Sequence, residues 1–173
     1  MESNNSLKWR FDISTFRLIG RDLITDRVTA LFELIKNCYD ANATSVHVRF
    51  ENVGNNNDGS SITISDNGIG MSFEDIRDKW MVIGTSNKRK NKITPAPISR
   101  RCVGEKGIGR FAVDKLGDNV TILTKQEKSD SWLEVTIDWS QYFKSADDKE
   151  NILFTDIENK YTFKPESNVD LHG

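Results

Sequence analysis

Between Val28 and Tyr39 the apolar residues recur at helical spacing. At 100° per residue, Val28, Leu31, Phe32, Ile35, Cys38 and Tyr39 gather on one side of a helix predicted from Thr25 or Asp26 to Ala41. Glu33, Asn37 and Asp40 fall within an arc of about 60° opposite them, so three polar groups share one stripe. The pattern then changes period. Ser45 to Phe50 alternates with Val46, Val48 and Phe50 on one face, and Ile62 and Ile64 alternate likewise after the polar stretch NVGNNNDGSS, which predicts a hairpin. The second strand stops at Asp66-Asn67-Gly68-Ile69-Gly70. Ser72, with Asp75 three residues on, is placed to cap a helix carrying Phe73, Ile76, Trp80 and Met81.

From Gly84 to about Glu105 the periodicity dissolves into a basic stretch holding Pro95 and Pro97, which predicts a long loop. Gly107-Ile108-Gly109 then opens a short helix, RFAVDKL, that Gly117 is placed to end at the C′ position. Two strands follow, Val120 to Thr124 and Trp132 to Trp139, joined by KQEKSDS. Beyond Ser140 the pattern predicts a short helix and weak strands within NILFTDIENKYTF, and residues 1–8 read as a flexible lead. This order predicts an α+β, two-layer sandwich: a mixed, mostly antiparallel sheet with helices on one face.

Composition narrows the class. The chain has 173 residues, 36% hydrophobic and 29% charged, with 11 Gly and 3 Pro, which suits one globular domain and is too short for a barrel enzyme of about 250 residues. Its 24 Lys+Arg against 26 Asp+Glu give a net charge of -2, which does not mark a nucleic-acid or membrane-surface protein. Cys38 and Cys102 stand alone, outside any Cys-x-x-Cys or Cys/His cluster, which argues against a disulfide scaffold and a structural zinc. No stretch approaches the roughly 20 apolar residues that span a bilayer, so the expectation is a cytoplasmic chain without a membrane partner.

Singly, the polar motifs have ordinary explanations. An amphipathic helix needs a polar face, an Asp-Asn-Gly after a strand is a common turn, and Gly104-Glu-Lys-Gly107-Ile-Gly109 resembles many glycine-rich loops. Order and spacing change this. A helix presenting a carboxylate and an amide, a strand ending in Asp-x-Gly-x-Gly, a long loop, and Gly-x-x-Gly-x-Gly at a helix N-terminus together make an ATP-binding layout. In "ELIKNCYDANA", "DNGIGM" and "GEKGIGRFA" the sequence resembles the GHKL superfamily of ATPases, which comprises gyrase, the large heat-shock chaperone, sensor histidine kinases and the MutL mismatch-repair protein. There is no Gly-Lys-Ser/Thr for a P-loop, and the glycines do not follow the first strand of a βαβ unit.

The resemblance implies the Bergerat ATP-binding fold over 1–173, with 84–106 as an ATP lid, cut near its C-terminal strand and lacking a downstream transducer domain. It implies ATP and Mg²⁺ as cofactors. Glu33 would be the general base for the attacking water, Asn37 the Mg²⁺ ligand, and Asp40 with Ala41 would lie near adenine and ribose. Asp66 would accept the exocyclic amine of adenine, Gly68 and Gly70 would admit the base, and Met71 would lie against the ring or serve as core packing. Thr85, Ser86 and Lys88 resemble the lid start of mismatch-repair and microrchidia relatives. Gly104, Glu105, Lys106, Gly107, Ile108, Gly109, Arg110 and Phe111 would cradle the triphosphate, the Lys106 and Arg110 side chains either adding charge or facing solvent. The basic run from Lys88 to Lys92, with Arg100 and Arg101, reads as a solvated lid or as a contact for DNA or triphosphate.

Two absences shape the expected function. The family's later threonine near adenine is expected to lie where the chain is cut, with Thr136 as the alternative candidate, and no lysine from a transducer domain is expected here. Neither His47 nor His172 sits in a helix suited to phosphoacceptance. The resemblance therefore implies a slow Mg-dependent ATPase acting as a dimerisation switch within a longer homodimeric protein with a DNA or protein client. The alternatives are an ATP sensor without hydrolysis and a kinase-type relative.

Overall fold

The computed structural model describes residues 10–15, 26–54, 59–83, 93–94, 98–103, 113–142 and 152–168. Helix α1 spans Arg27–Asp40, close to its predicted bounds. Asp26 starts it by accepting the Thr29 N–H at 2.8 Å. Asn42 ends it from the left-handed C′ position, at φ +65°. The Asn42 N–H bonds the Tyr39 carbonyl and the Ala43 N–H bonds the Cys38 carbonyl, each at 3.1 Å, which is the Schellman arrangement.

The buried face of α1 is not the one that the hydrophobic pattern predicts. Ala30 is wholly buried against Leu116, and Cys38 is buried, whereas Val28 and Phe32 are 63% and 60% exposed. At 100° per residue the buried face is rotated by roughly 100°, toward Ala30, Leu34, Cys38 and Ala41. Small side chains let the helix come close to its neighbours, and the bulky ones are left outside. Glu33, Asn37 and Asp40 therefore border the buried face, half-buried themselves, rather than facing open solvent.

Strands β1 (Val46–Glu51) and β2 (Ser61–Asp66) form the predicted hairpin, pairing Val48 with Ile64 and Phe50 with Ile62. Strands β3 (Asn119–Thr124), β4 (Ser131–Asp138) and β5 (Lys160–Pro165) form a second antiparallel sheet with β4 central. The single mixed sheet expected from sequence thus appears, among the described residues, as two antiparallel ones. The α+β class stands.

The main core lies on one face of the second sheet. Leu133, Val135, Ile137 and Trp139 alternate inward along and beyond β4 and are buried with Ile13, Ile76 and Tyr142. Tyr142 stacks against Trp139 and Phe154, with ring centroids 5.2 and 5.6 Å away. Burying each large apolar side chain contributes about 1.5–3 kcal/mol. The segment around Ile13 joins this core by pairing with residues 152–154, its N–H bonding the Ile152 carbonyl at 3.0 Å.

Helix α2 (Phe73–Asp75) is capped by Ser72 and Asp75 in a reciprocal capping box, as the sequence predicts. It does not continue as an α-helix: residues Ile76–Trp80 widen into a π turn in which the Met81 N–H reaches the Ile76 carbonyl at 2.8 Å. The extra residue lets Ile76, Trp80 and Met81 all pack toward the core. Residues 113–115 make one short helical turn. Gly117 follows without the positive φ expected of a C′ glycine.

Candidate functional site

The end of α1, the end of β2 and the end of β3 converge on the turn Asp66-Asn67-Gly68-Ile69-Gly70. Ile69 donates its N–H to the Ala41 carbonyl at 2.8 Å, tying the turn to the helix terminus. Asn67 ties it to the loop before β1. Its Oδ1 accepts the N–H groups of Thr44 and Ser45, each at 2.9 Å, and its Nδ2 donates to Thr44 Oγ1 at 2.8 Å. Met71 donates its N–H to the hydroxyl of buried Thr124 at 2.8 Å, which joins the turn to β3.

Two glycines are required by this convergence. A Cβ on Gly68 would stand 2.6 Å from the Ala41 carbonyl oxygen. One on Gly70, at φ +67°, would collide with the Lys125 carbonyl. Protein backbone alone thus accounts for both, whatever else the turn approaches.

The polar groups gather along the same seam. Asp66 is exposed at the end of β2, and its Oδ1 accepts the Gly68 N–H at 2.8 Å. Burial first, then the nearby Asp66 carboxylate, push the pKa of the buried Cys38 thiol up from 9.0 to about 12. Asp40 Oδ1 accepts the Val103 N–H at 2.8 Å. Arg100 stacks its guanidinium 4.0 Å from the centre of the Tyr39 ring and donates to the Ala43 carbonyl, so residues 100–103 dock on the end of α1. Glu33, about 6 Å along the helix axis from Asn37, is half-buried and ion-paired with Lys36.

Of the residues predicted from sequence, Asp40, Ala41, Asp66, Gly68, Gly70 and Met71 therefore meet around one turn, with Glu33 and Asn37 on the adjoining stripe. Thr85, Ser86, Lys88 and Gly104 through Phe111 lie outside the described residues. Thr136 is exposed, paired with Thr121 and Lys160 on the face of β4 away from the core. The buried threonine beside the turn is Thr124. Sequence reasoning passed over Thr124 and Asn67; a threonine closing a strand in register with an apolar run was the available signal for the first, and the Asp-Asn-Gly triplet for the second.

A cavity of about 440 Å³ touches the turn at Asn67, Gly68 and Ile69 and runs toward Lys125 and Trp132. The donor set on the α1 side is an amide oxygen flanked by carboxylates. Hard oxygen donors of this kind fit a Mg²⁺ ion that keeps waters and takes most of its ligands from a phosphate.

The chain belongs to the family of histidine kinase-, DNA gyrase B- and HSP90-like ATPases, which matches residues 25–165. Among curated relatives it is similar to the putative type II restriction enzyme HgiDII of Herpetosiphon aurantiacus, 30% identical over 64% of this chain and 17% of that protein. It is similar to the chaperone protein HtpG of Buchnera aphidicola, 32% identical over 65% of this chain and 19% of the relative. The DNA mismatch repair protein MutL of Ehrlichia chaffeensis is 30% identical over 69% of this chain and 16% of its own length. The match thus spans less than a fifth of each of these relatives. Among the described residues no helix is long and apolar enough to cross a membrane.

Proposed function

We propose that this chain binds Mg-ATP, hydrolyses it slowly, and serves as the nucleotide-driven dimerisation switch of a longer cytoplasmic protein. The observation that carries this reading is the junction of the half-buried stripe Glu33-Asn37-Asp40 with the Asp66 turn, through the Ile69 to Ala41 hydrogen bond. Asp66 accepts the adenine amine, which selects against guanine because a guanine oxygen there would leave two acceptors facing each other. Asp40 and Ala41 flank adenine and ribose, Gly68 and Gly70 hold the turn, and Met71 packs under the base. Asn37 offers its amide oxygen to Mg²⁺, which when bound neutralises phosphate charge. Glu33 orients and deprotonates the attacking water. Thr85, Ser86 and Lys88 close over the nucleotide, and the backbone of Gly104-Glu105-Lys106-Gly107-Ile108-Gly109-Arg110-Phe111 holds the triphosphate.

A half-buried carboxylate on the phosphate side favours hydrolysis over ATP sensing alone. For the client, the relatives' names divide between DNA processing, a restriction enzyme and a mismatch repair protein, and the chaperone HtpG. The likeness of the lid motif to microrchidia ATPases favours a DNA client.

The test pairs two measurements. Mg-ATP at about 100 times Kd should stabilise the chain by about 2.7 kcal/mol, seen as a raised Tm. Glu33→Ala should lower hydrolysis about 10²–10⁴-fold while keeping that shift. No shift with Mg-ATP overturns the reading, and undiminished hydrolysis removes Glu33 from it.

A further inference from the structure

Residues 93–94 and 98–103 are tied to each other and to the end of α1. Ile93 pairs with Arg101 in an antiparallel bridge, the Thr94 N–H bonds the Arg100 carbonyl at 2.7 Å, and the Arg100 N–H returns to Thr94 Oγ1 at 2.9 Å. Thr94 itself is buried. The paired segments are fastened to α1 at two points. Arg100 lays its guanidinium 4.0 Å from the centre of the Tyr39 ring and donates through Nη2 to the carbonyl of buried Ala43 at 2.5 Å. Three residues on, the Val103 N–H bonds Asp40 Oδ1 at 2.8 Å, a contact between residues 63 positions apart. No carboxylate pairs with Arg100 among the described residues, so the ring and the carbonyl are what hold its side chain.

A carboxylate at a helix end swings about its side-chain bonds unless donors fix it. At Asp40 one such donor is a backbone N–H, and a backbone N–H stands wherever its segment stands. The side chain that fastens this segment to α1 is Arg100. We propose that Arg100 is a positioning residue for Asp40: held by the Tyr39 ring and the Ala43 carbonyl, it sets residues 100–103 on the end of α1 so that the Val103 N–H keeps the Asp40 carboxylate turned toward the nucleotide. This rests on the reading above that Asp40 lies beside adenine and ribose, and it adds the residue that keeps Asp40 ready for them. The role calls for arginine. Its flat cation covers an aromatic face while its in-plane N–H groups donate, and it suits the negative end of a helix, whereas lysine keeps the charge without the face. Tyr39 contributes its ring, which phenylalanine would also supply.

The experiment uses the full chain, isotope-labelled for NMR. In nucleotide-free protein the Val103 amide proton should resonate at the low-field position of an N–H bonded to a carboxylate, and it should move upfield in Asp40→Ala and by a similar amount in Arg100→Ala. Tyr39→Phe should leave it in place, and Tyr39→Ala should not. The amide signals of β4 and the Tm without nucleotide serve as the folding control; should Arg100→Ala fail it, Tyr39→Ala carries the same comparison. Calorimetric titration with Mg-ATP then closes a double-mutant cycle. Asp40→Ala and Arg100→Ala should each weaken binding about tenfold, the equivalent of one hydrogen bond, and the double variant should bind no more weakly than either single one. A Val103 signal unmoved in a folded Arg100→Ala or Tyr39→Ala variant overturns the positioning role. A double variant about a hundredfold weaker than wild type overturns it too, because Arg100 would then act independently of Asp40. Wild-type protein that binds no Mg-ATP, with the Val103 signal behaving as stated, overturns the nucleotide reading and the role of Arg100 in it while leaving the contact intact.

Discussion

The three-stranded sheet and the turn at the end of β2 are held together by different physics. Under the sheet, Leu133, Val135, Ile137, Trp139 and Tyr142 are buried by shape and volume, with few directional bonds. At the turn, Asn67 bonds three groups of the loop before β1, and Ile69 and Met71 each donate a backbone N–H to a neighbouring element. The first region needs apolar side chains of about the right size. The second needs particular atoms at particular places, which is how a protein builds a surface that can read a ligand.

Substitutions can break or sharpen this contrast. The largest effect belongs to the sheet: Ile137→Ala should cost about 2–5 kcal/mol in urea denaturation, whereas Ile137→Val should cost only about 0.5–1.5. Comparable losses for the two would mean that the core is as exacting as the turn. Next, Asn67→Ala should cost about 1–3 kcal/mol, and Asn67→Asp, nearly the same size, should fail to restore it because the donor to Thr44 is gone. Full rescue by aspartate would place the turn in the tolerant class.

The smallest effect joins the two regions. Asp75 caps α2 with Ser72, pairs with Lys79, and accepts from Gln126 at 3.2 Å just beyond β3. Burial raises its pKa, but the bonds from Lys79 and Ser72 outweigh it, and the carboxyl ends below its ordinary 3.8. Because the folded pKa is depressed, the stabilisation is present above the unfolded value and is lost as pH falls through the folded one. The stability gap between wild type and Asp75→Asn, about 1 kcal/mol near neutrality, should close on acidification below about pH 4. A gap unchanged at low pH would show that the cap works without its charge.

The same contrast explains what could be read before the structure. Alternation along β4, the hairpin of β1 and β2, and the two capped helix starts are local patterns, and the chain folds as they indicate. The buried face of α1 could not be read from hydrophobicity, because close approach favours Ala30 and Cys38 over Val28 and Phe32. The π turn after Asp75 depends on three apolar residues sharing one core, a tertiary demand. Around the site, the motif order identified the turn and the stripe, while the parts played by Asn67 and Thr124 depend on neighbours 23 and 53 positions away in sequence.

Gly68 and Gly70 carry a consequence for how such a site can diversify. Both are needed by the carbonyls of Ala41 and Lys125, not by any one ligand. Asp66 Oδ1 would also stand 2.7 Å from a Gly68 Cβ, but the two carbonyls exclude a Cβ at either glycine by themselves. A descendant of this chain could therefore trade the side chains around the turn one at a time, while the two glycines stay as fixed joinery beneath them. Kinship would then be inherited through the glycines and specificity through the side chains beside them.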